Sequence, residues 1–420
     1  MGRLRRTFSS MQALRSTPGA LRLFAISVVA RLPLAMLSIA LLLHTEHLTD
    51  SFAAAGAVDG SFAVSLAVGG PLLGRLVDRG GQTRVLAAGA VVATLALAAI
   101  ATRPEGSSVV TLAALAMAVG LATPPLGASL RTLLSALVDD PDAAASAYAL
   151  DATAIELTWI SGPLLAVGLA TAFSTALALA AAAAVLLVGT LAFAIQPASR
   201  GWRPAAHERT GRGGALRSPA MRTLVIALLA VGAVTGAVQV GVAAATDAMG
   251  QGTATGPLLA LWGAGSLLGG LLASRLGSRI GGAGALSLFL AALTVGHFAL
   301  VAATSVVAVG ALLLVAGASI APTYASVYVL ADRAAPAGAV TEAFSWLATA
   351  AAVGGAAGAA IAGSLVEHAG FAAAFGLAGV VGSVAVISIV VRTNQLPAAW
   401  RIARSGVRGA RGATLRRCEI

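Results

Sequence analysis

Twelve apolar runs, at about 21–43, 52–74, 84–101, 108–130, 146–169, 173–195, 222–245, 254–273, 283–302, 306–329, 341–364 and 371–391, leave this chain few folds to choose from. Each is near the length of ~20 residues that carries a helix across the ~30 Å hydrocarbon of a bilayer. Hydrocarbon offers no partner to a backbone N–H or C=O, so a spanning segment of this length satisfies its own groups as a helix. With 58% hydrophobic and 10% charged residues, and a mean hydropathy of +0.91, the chain has too little polar surface for a soluble globule. The start, with Arg3, Arg5 and Arg6, has the basic character of a secretory signal. The apolar run behind it is longer than a signal core and no small-residue cleavage pattern ends it, so we expect a retained first helix. The expected fold class is an all-α membrane protein of twelve transmembrane helices.

A net charge of +11 could mean nucleic acid or acidic lipid, and the placement of the charge decides between them. All 27 basic residues are arginine. If the chain starts in the cytoplasm, all of them except Arg103, and Arg31 within a span, fall in cytoplasmic segments or at cytoplasmic helix ends. The positive-inside rule then puts both termini in the cytoplasm, with anionic lipid and not nucleic acid as the partner of that face. The lack of lysine and the abundance of Ala and Gly suit a GC-rich bacterial genome, hence a bacterial plasma (inner) membrane. A single cysteine, Cys418, excludes an internal disulfide framework and a thiolate metal site, and no cofactor is expected.

The segment 196–221 is rich in Arg, Gly and Pro, lacks apolar periodicity and divides the chain. Leu72–Arg79 aligns with Leu268–Arg275 at an offset of 196, and Pro125 has Pro322 near the same offset. We expect a duplication: a cytoplasmic segment 1–20, a six-helix bundle 21–195, a cytoplasmic loop 196–221, a second six-helix bundle 222–391 and a basic tail 392–420. Ser274 stands where the first copy has Asp78, so the first copy should matter more for gating.

Between the second and third runs lies Gly74-Arg-Leu-Val-Asp78-Arg79-Gly-Gly-Gln-Thr-Arg84, a charged, glycine-bearing turn at a membrane face. Gly74 lets a neighbouring helix come close, Asp78 can accept hydrogen bonds at the positive N-terminus of another helix, and Arg79 can pin the turn at the interface. The stretch resembles the loop signature G-x-x-x-D-R-x-G-R-R/K of the major facilitator superfamily, with Gly74, Asp78, Arg79 and Gly81 in register and Gln82 and Thr83 at the two basic positions. The resemblance implies two six-helix bundles rocking about a midplane cavity, with Asp78 bonded to the start of span eleven near Thr341 and Glu342. It also implies ion-driven transport, although of the antiporter signature G-x-x-x-G-P-x-x-G-G only Gly162-Pro163 matches, and no arginine stands early in span four.

Charges within the hydrocarbon cost several kcal/mol unless paired or wetted. Arg31 and Glu156 each lie about ten residues into an expected span that starts from the cytoplasm, so they reach similar depth and can meet, as a structural clamp or as a binding or proton-carrying pair. Asp59, in the outer third of span two, has no basic neighbour in sequence and either hydrates a cavity mouth or exchanges a proton. Arg131 and Asp151, near the cytoplasmic ends of spans four and five, read as a structural interfacial pair. Second-half candidates are Gln239, Glu342 as a helix-start acid, and Tyr324, Tyr328 and Trp346 as aromatics that stack on a substrate or anchor span ends. His297 reads as a packed polar group. Pro33, Pro124-Pro125 and Pro322 mark spans one, four and ten as cavity-lining. The glycines at 354, 358 and 363, and at 265, 269 and 270, mark close helix contacts.

Neither a G-x-S-x-G nor an H-E-x-x-H pattern occurs, and a P-loop would need a lysine. The expected function is therefore not enzymatic. It is secondary transport, driven by an ion gradient with protons as the candidate ion, or else facilitated diffusion, with export of a small apolar or zwitterionic organic molecule. A nutrient uptake permease and a non-transporting scaffold or sensor are the alternatives.

Overall fold

A computed structural model of the chain describes residues 19–138, 140–203 and 214–397. Among them are twelve helices long and apolar enough to cross a membrane. We number them α1 (Ala20–Thr49), α2 (Phe52–Gly80), α3 (Gln82–Ala101), α4 (Val109–Leu137), α5 (Pro141–Ala172), α6 (Thr175–Ala194), α7 (Pro219–Ala248), α8 (Gly252–Ala273), α9 (Ala283–Ala302), α10 (Val306–Ala334), α11 (Val340–Ala369) and α12 (Phe371–Val391). Residues 1–18, 204–213 and 398–420, which hold much of the expected basic segments and tail, lie outside the described residues.

The helix starts follow from local chemistry. Ser51, Asp140, Ser174, Ser218 and Ser305 each accept a backbone N–H of the turn they precede, meeting one donor that a helix leaves unpaired. Asp140 with Pro141 starts α5 five residues before the apolar run at 146, because the first turn is capped rather than apolar. Likewise α2 runs through its charged residues to Gly80, and Gly81 alone, at φ 89°, turns the chain into α3. The expected loop 75–84 is thus mostly helix. Its charges need water or a partner, not a loop.

The prolines act unequally. Pro124 and Pro125 split α4 into Val109–Ala122 and Leu126–Leu137. In α10 the pieces are Val306–Gly317 and Ile320–Ala334, with Pro322 in the first turn of the second piece, where its missing N–H costs nothing. Pro33, by contrast, sits inside an unbroken α1.

The duplication shows in the packing. Within α1–α6 the pairs α1/α5, α1/α6, α2/α4 and α3/α6 are in contact, and within α7–α12 the pairs α7/α11, α7/α12, α8/α10 and α9/α12 repeat them six helices later. The halves meet along two seams of the same kind, α2 against α11 and α8 against α5. Glycine permits the closest of these approaches. A Cβ on Gly354 or Gly358 would fall on the carbonyls of Leu229 or Ala233 in α7, and one on Gly265 or Gly269 on those of Leu314 or Ala318 in α10. Gly270 faces Thr153 across the α5/α8 seam. Gly363 departs from expectation, since nothing lies within 4 Å of where its side chain would be.

Candidate functional site

On the face where α1 starts and α2 ends, which is the arginine-rich face, α2 closes on the start of α11. The first turn of α11 has unpaired N–H groups and no side-chain cap of its own from Ala339. Asp78 supplies the cap from the other half: the Thr341 N–H donates to Oδ1 at 3.0 Å and the Glu342 N–H to Oδ2 at 2.8 Å, with Asp78 only 3% exposed. Arg75, one turn earlier, forks onto the Glu342 carboxylate, Nε to Oε2 at 3.1 Å and Nη2 to Oε1 at 2.7 Å. Gly74 is required, because a Cβ there would stand 2.7 Å from Ser345 Oγ and 3.0 Å from the Thr341 carbonyl oxygen. The bond of Asp78 to Thr341 and Glu342 that the loop signature implied is therefore present. Gln82 and Thr83, which replace the two basic positions, bond within the first half: Gln82 donates to the Ser129 carbonyl and accepts from Ser199, and Thr83 donates to the Ala194 carbonyl. Arg79 is exposed and makes no hydrogen bond among the described residues.

The α5/α8 seam is closed with different groups. Ser146 donates to the carbonyl of Ser274, the residue in register with Asp78, and Asp142 in the first turn of α5 accepts the Ser278 N–H at 2.7 Å. The deepest polar link on this seam joins Ser266 Oγ to Glu156 Oε1 at 2.8 Å. Beside the α2/α11 seam, the hydroxyls of Thr132 in α4 and Thr341 in α11 meet at 3.0 Å, and Thr349 of α11 donates to the Ala67 carbonyl of α2. Toward the opposite face the halves exchange no hydrogen bond among the described residues.

Arg31 and Glu156 do not meet. Arg31 Nη2 lies 2.8 Å from Asp151 Oδ1, while Arg131 Nε donates to Asp151 Oδ2 at 2.8 Å. The reason is register: with α5 beginning at Pro141, Asp151 stands ten residues into its helix, matching Arg31 at eleven residues into α1, and Glu156 stands fifteen in. One carboxylate thus serves two guanidiniums, all three side chains 7% exposed or less. Arg31 Nε donates to the Ser27 carbonyl, and Arg31 Nη1 is buried with no hydrogen-bond partner. Arg131 and Asp151 do pair, but in the interior rather than at the membrane surface. The guanidinium of Arg131 lies 3.8 Å from the ring centroid of Tyr328, a cation–π contact across the halves.

The remaining candidates scatter. Asp59 accepts from Ser38 of α1 at 2.9 Å, and its Oδ1 is buried without a partner. Tyr324 lies against Tyr328, ring centroids 6.0 Å apart and planes tilted by 59°, and so borders the arginine site. Trp346 does not: its indole points at Glu342, and with Arg75, Arg217 and Arg222 it lines a cavity of about 320 Å³ at the arginine-rich face. Gln239 is exposed and makes no hydrogen bond among the described residues. His297 is buried and packed as expected, accepting from the Trp262 indole at 2.9 Å. Sequence reasoning missed Asp142 and Ser266, and it gave Asp151 only one of its two partners. The Asp140-Pro141 start signal would have placed Asp151 at the depth of Arg31.

A family model described as the Major Facilitator Superfamily matches residues 23–359. No curated protein matches the chain. Among solved structures, the human organic anion transporter MFSD10 (TETRAN) is similar at a TM-score of 0.69 and 18% identity, over 88% of this chain and 99% of that one. A bacterial homologue of the iron transporter ferroportin, in an outward-facing state, gives 0.69 at 14% identity, over 89% and 99%. The E. coli fucose:proton symporter FucP gives 0.69 at 15% identity, over 89% and 98%. At such identities the likeness is one of fold.

Proposed function

Because the chain belongs to the Major Facilitator Superfamily, we propose that it moves a small organic molecule across a bacterial inner membrane by alternating access, with both termini in the cytoplasm. The observation that carries this reading is the one-sided closure of the two halves. Asp78 on the α11 start and Asp142 on Ser278 tie them at the arginine-rich face, with no hydrogen bond between them at the other face among the described residues. A scaffold has no use for a polar closure confined to one face. The positive-inside rule supports assigning that face to the cytoplasm, so in this reading the halves are tied at their cytoplasmic side.

Export is the direction we assign. The spans offer few groups to bind hydroxyls, which suits a poorly hydrated solute, and such a solute crosses lipid inward unaided. Protons are the driving ion in this reading, and Glu156 carries them. Its carboxyl lies within the membrane, has no basic partner among the described residues, and touches the other half through Ser266, so its surroundings change when the α5/α8 seam parts. Asp59 is the second proton-site candidate.

Paired single cysteines, one on each face, in a Cys418→Ser background test the alternation, since Cys418 is the only native thiol. Substrate or a proton gradient should shift labelling from one face to the other. Labelling that never changes, with no solute flux in proteoliposomes, would leave only a scaffold.

A further inference from the structure

Among the described residues, the interior of the first half gathers two guanidiniums around one carboxylate. Arg31 and Arg131 share the single carboxylate of Asp151, and all three lie inside the membrane-spanning region. Glu156, five residues beyond Asp151 on α5, is engaged by Ser266 and forms no ion pair with either arginine. A buried guanidinium without its counter-charge is costly, and a fold retains it only where something else supplies the charge or the hydrogen bonds. Two further observations say where. Arg31 Nη1 and Nη2 are both buried with no hydrogen-bond partner, and only Nη2 lies close to the carboxylate, 2.8 Å from Asp151 Oδ1. Gly127, just past the Pro124-Pro125 break of α4, has no side chain where both guanidiniums converge: a Cβ there would find Arg31 Nη1 at 3.4 Å and Arg131 Nη1 and Nη2 at 3.7 Å as its nearest neighbours.

We infer that the notch at Gly127 is an anion site, and that the transported solute carries a single negative charge, most simply a carboxylate, which Arg31 Nη1 and the outer nitrogens of Arg131 bind. The inference rests on the transport reading and replaces the apolar or zwitterionic solute expected from the sequence with an amphipathic organic anion. The chemistry is consistent with export: a weak organic acid enters a cell through lipid in its neutral form and is held inside as its anion. The bound carboxylate brings the site to two positive and two negative charges. The Tyr328 ring 3.8 Å from the Arg131 guanidinium belongs to the other half, so the same arginine touches both bundles.

The first arm of the test needs no knowledge of the natural solute. Gly127→Asp places a carboxylate in the notch, and Gly127→Asn places an uncharged group of the same size; the first-turn dipole alone favours Asp here, a part of the gap that does not depend on Arg31. In the purified full-length protein we expect Gly127→Asp to melt above Gly127→Asn by about 2–4 °C, and the gap to narrow to the dipole's part when Arg31→Gln is added. The second arm uses the unmodified chain with benzoate, benzamide and thiocyanate, against sodium sulfate at equal ionic strength. Benzoate should raise Tm, benzamide should not, and Arg31→Gln, which leaves the balanced Arg131–Asp151 pair, should abolish the rise. If thiocyanate stabilises and benzoate does not, the notch takes inorganic anions and the substrate class falls. If the Asp and Asn variants melt alike, or their gap is the same with Arg31→Gln, or benzoate stabilisation survives Arg31→Gln, the site itself falls. Cysteine labelling that still alternates in any of those cases leaves the transport reading standing. Benzoate binding that needs Arg31 in a protein whose labelling never alternates would instead end both the reading and the substrate assignment.

Discussion

Asp78 and Glu342 face each other as like charges, yet they are joined, because the Glu342 backbone N–H donates to Asp78 Oδ2 at 2.8 Å while its carboxylate is drawn off by Arg75. The arrangement uses one residue of α11 twice, once through its backbone and once through its side chain. Asp78→Asn keeps the shape and one acceptor oxygen but loses the charge-assisted character of the bonds, at about 1.5–3 kcal/mol. The expected result is a shift of about tenfold or more toward the conformer open at the arginine-rich face, read as faster labelling of a cysteine there and slower labelling on the opposite face. Unchanged labelling on both faces would show that Asp78 does not hold the closure.

The buried triad makes a graded prediction. Asp151→Leu strands two guanidiniums and should cost about 3–5 kcal/mol, seen as loss of folded protein after detergent extraction. Arg31→Leu leaves a balanced pair and should fold far better. A double-mutant cycle between positions 31 and 151 should give a coupling of about 1 kcal/mol or more, whereas positions 31 and 156 should be additive within about 0.5 kcal/mol. Coupling between Arg31 and Glu156 instead would contradict the pairing seen here.

Glu156→Gln preserves a carbonyl acceptor for Ser266 and removes the exchangeable proton. Net flux driven by a pH gradient should disappear, while exchange of labelled for unlabelled solute at equal pH on both sides persists. Should the variant still acidify or alkalinise proteoliposomes as the parent does, the coupling site is elsewhere, with Asp59 the next to replace.

The glycines separate contact from coincidence. Gly269→Leu places a side chain on the Ala318 carbonyl and should cost about 1–3 kcal/mol or more through displaced backbone. Gly363→Ala meets open space and, within a helix, should be neutral or stabilising by up to about 1 kcal/mol. Thermal unfolding of the purified variants measures both.

The twelve spans, the duplication and the Asp78 contact were legible in the sequence because each rests on a local pattern: a long apolar run, an offset repeat, a charged turn. The triad was not, because it depends on where α5 begins. Counting depth from the apolar run at 146 chose Glu156, while counting from the capped start at Pro141 chooses Asp151. The surroundings of Trp346 were not legible for a related reason, since an aromatic near a helix start faces cavity or interface according to its turn, which composition does not encode. Ser266 and Asp142 carry no signal beyond being polar, and they gain meaning only from the seam they happen to face.

The two seam acids occupy opposite ends of their own helices. Asp142 sits in the first turn of α5, where the dipole of its own helix welcomes a negative charge whether or not Ser278 is near. Asp78 sits in the last turn of α2, against the negative end of its own dipole, and finds its compensation only at the start of α11. Parting the α2/α11 edge therefore returns Asp78 to an unfavourable position, while parting the α5/α8 edge leaves Asp142 nearly as well placed as before. In the proposed cycle this makes a handed door of a repeated packing: the α5/α8 edge parts at little electrostatic cost, and the α2/α11 edge is drawn shut.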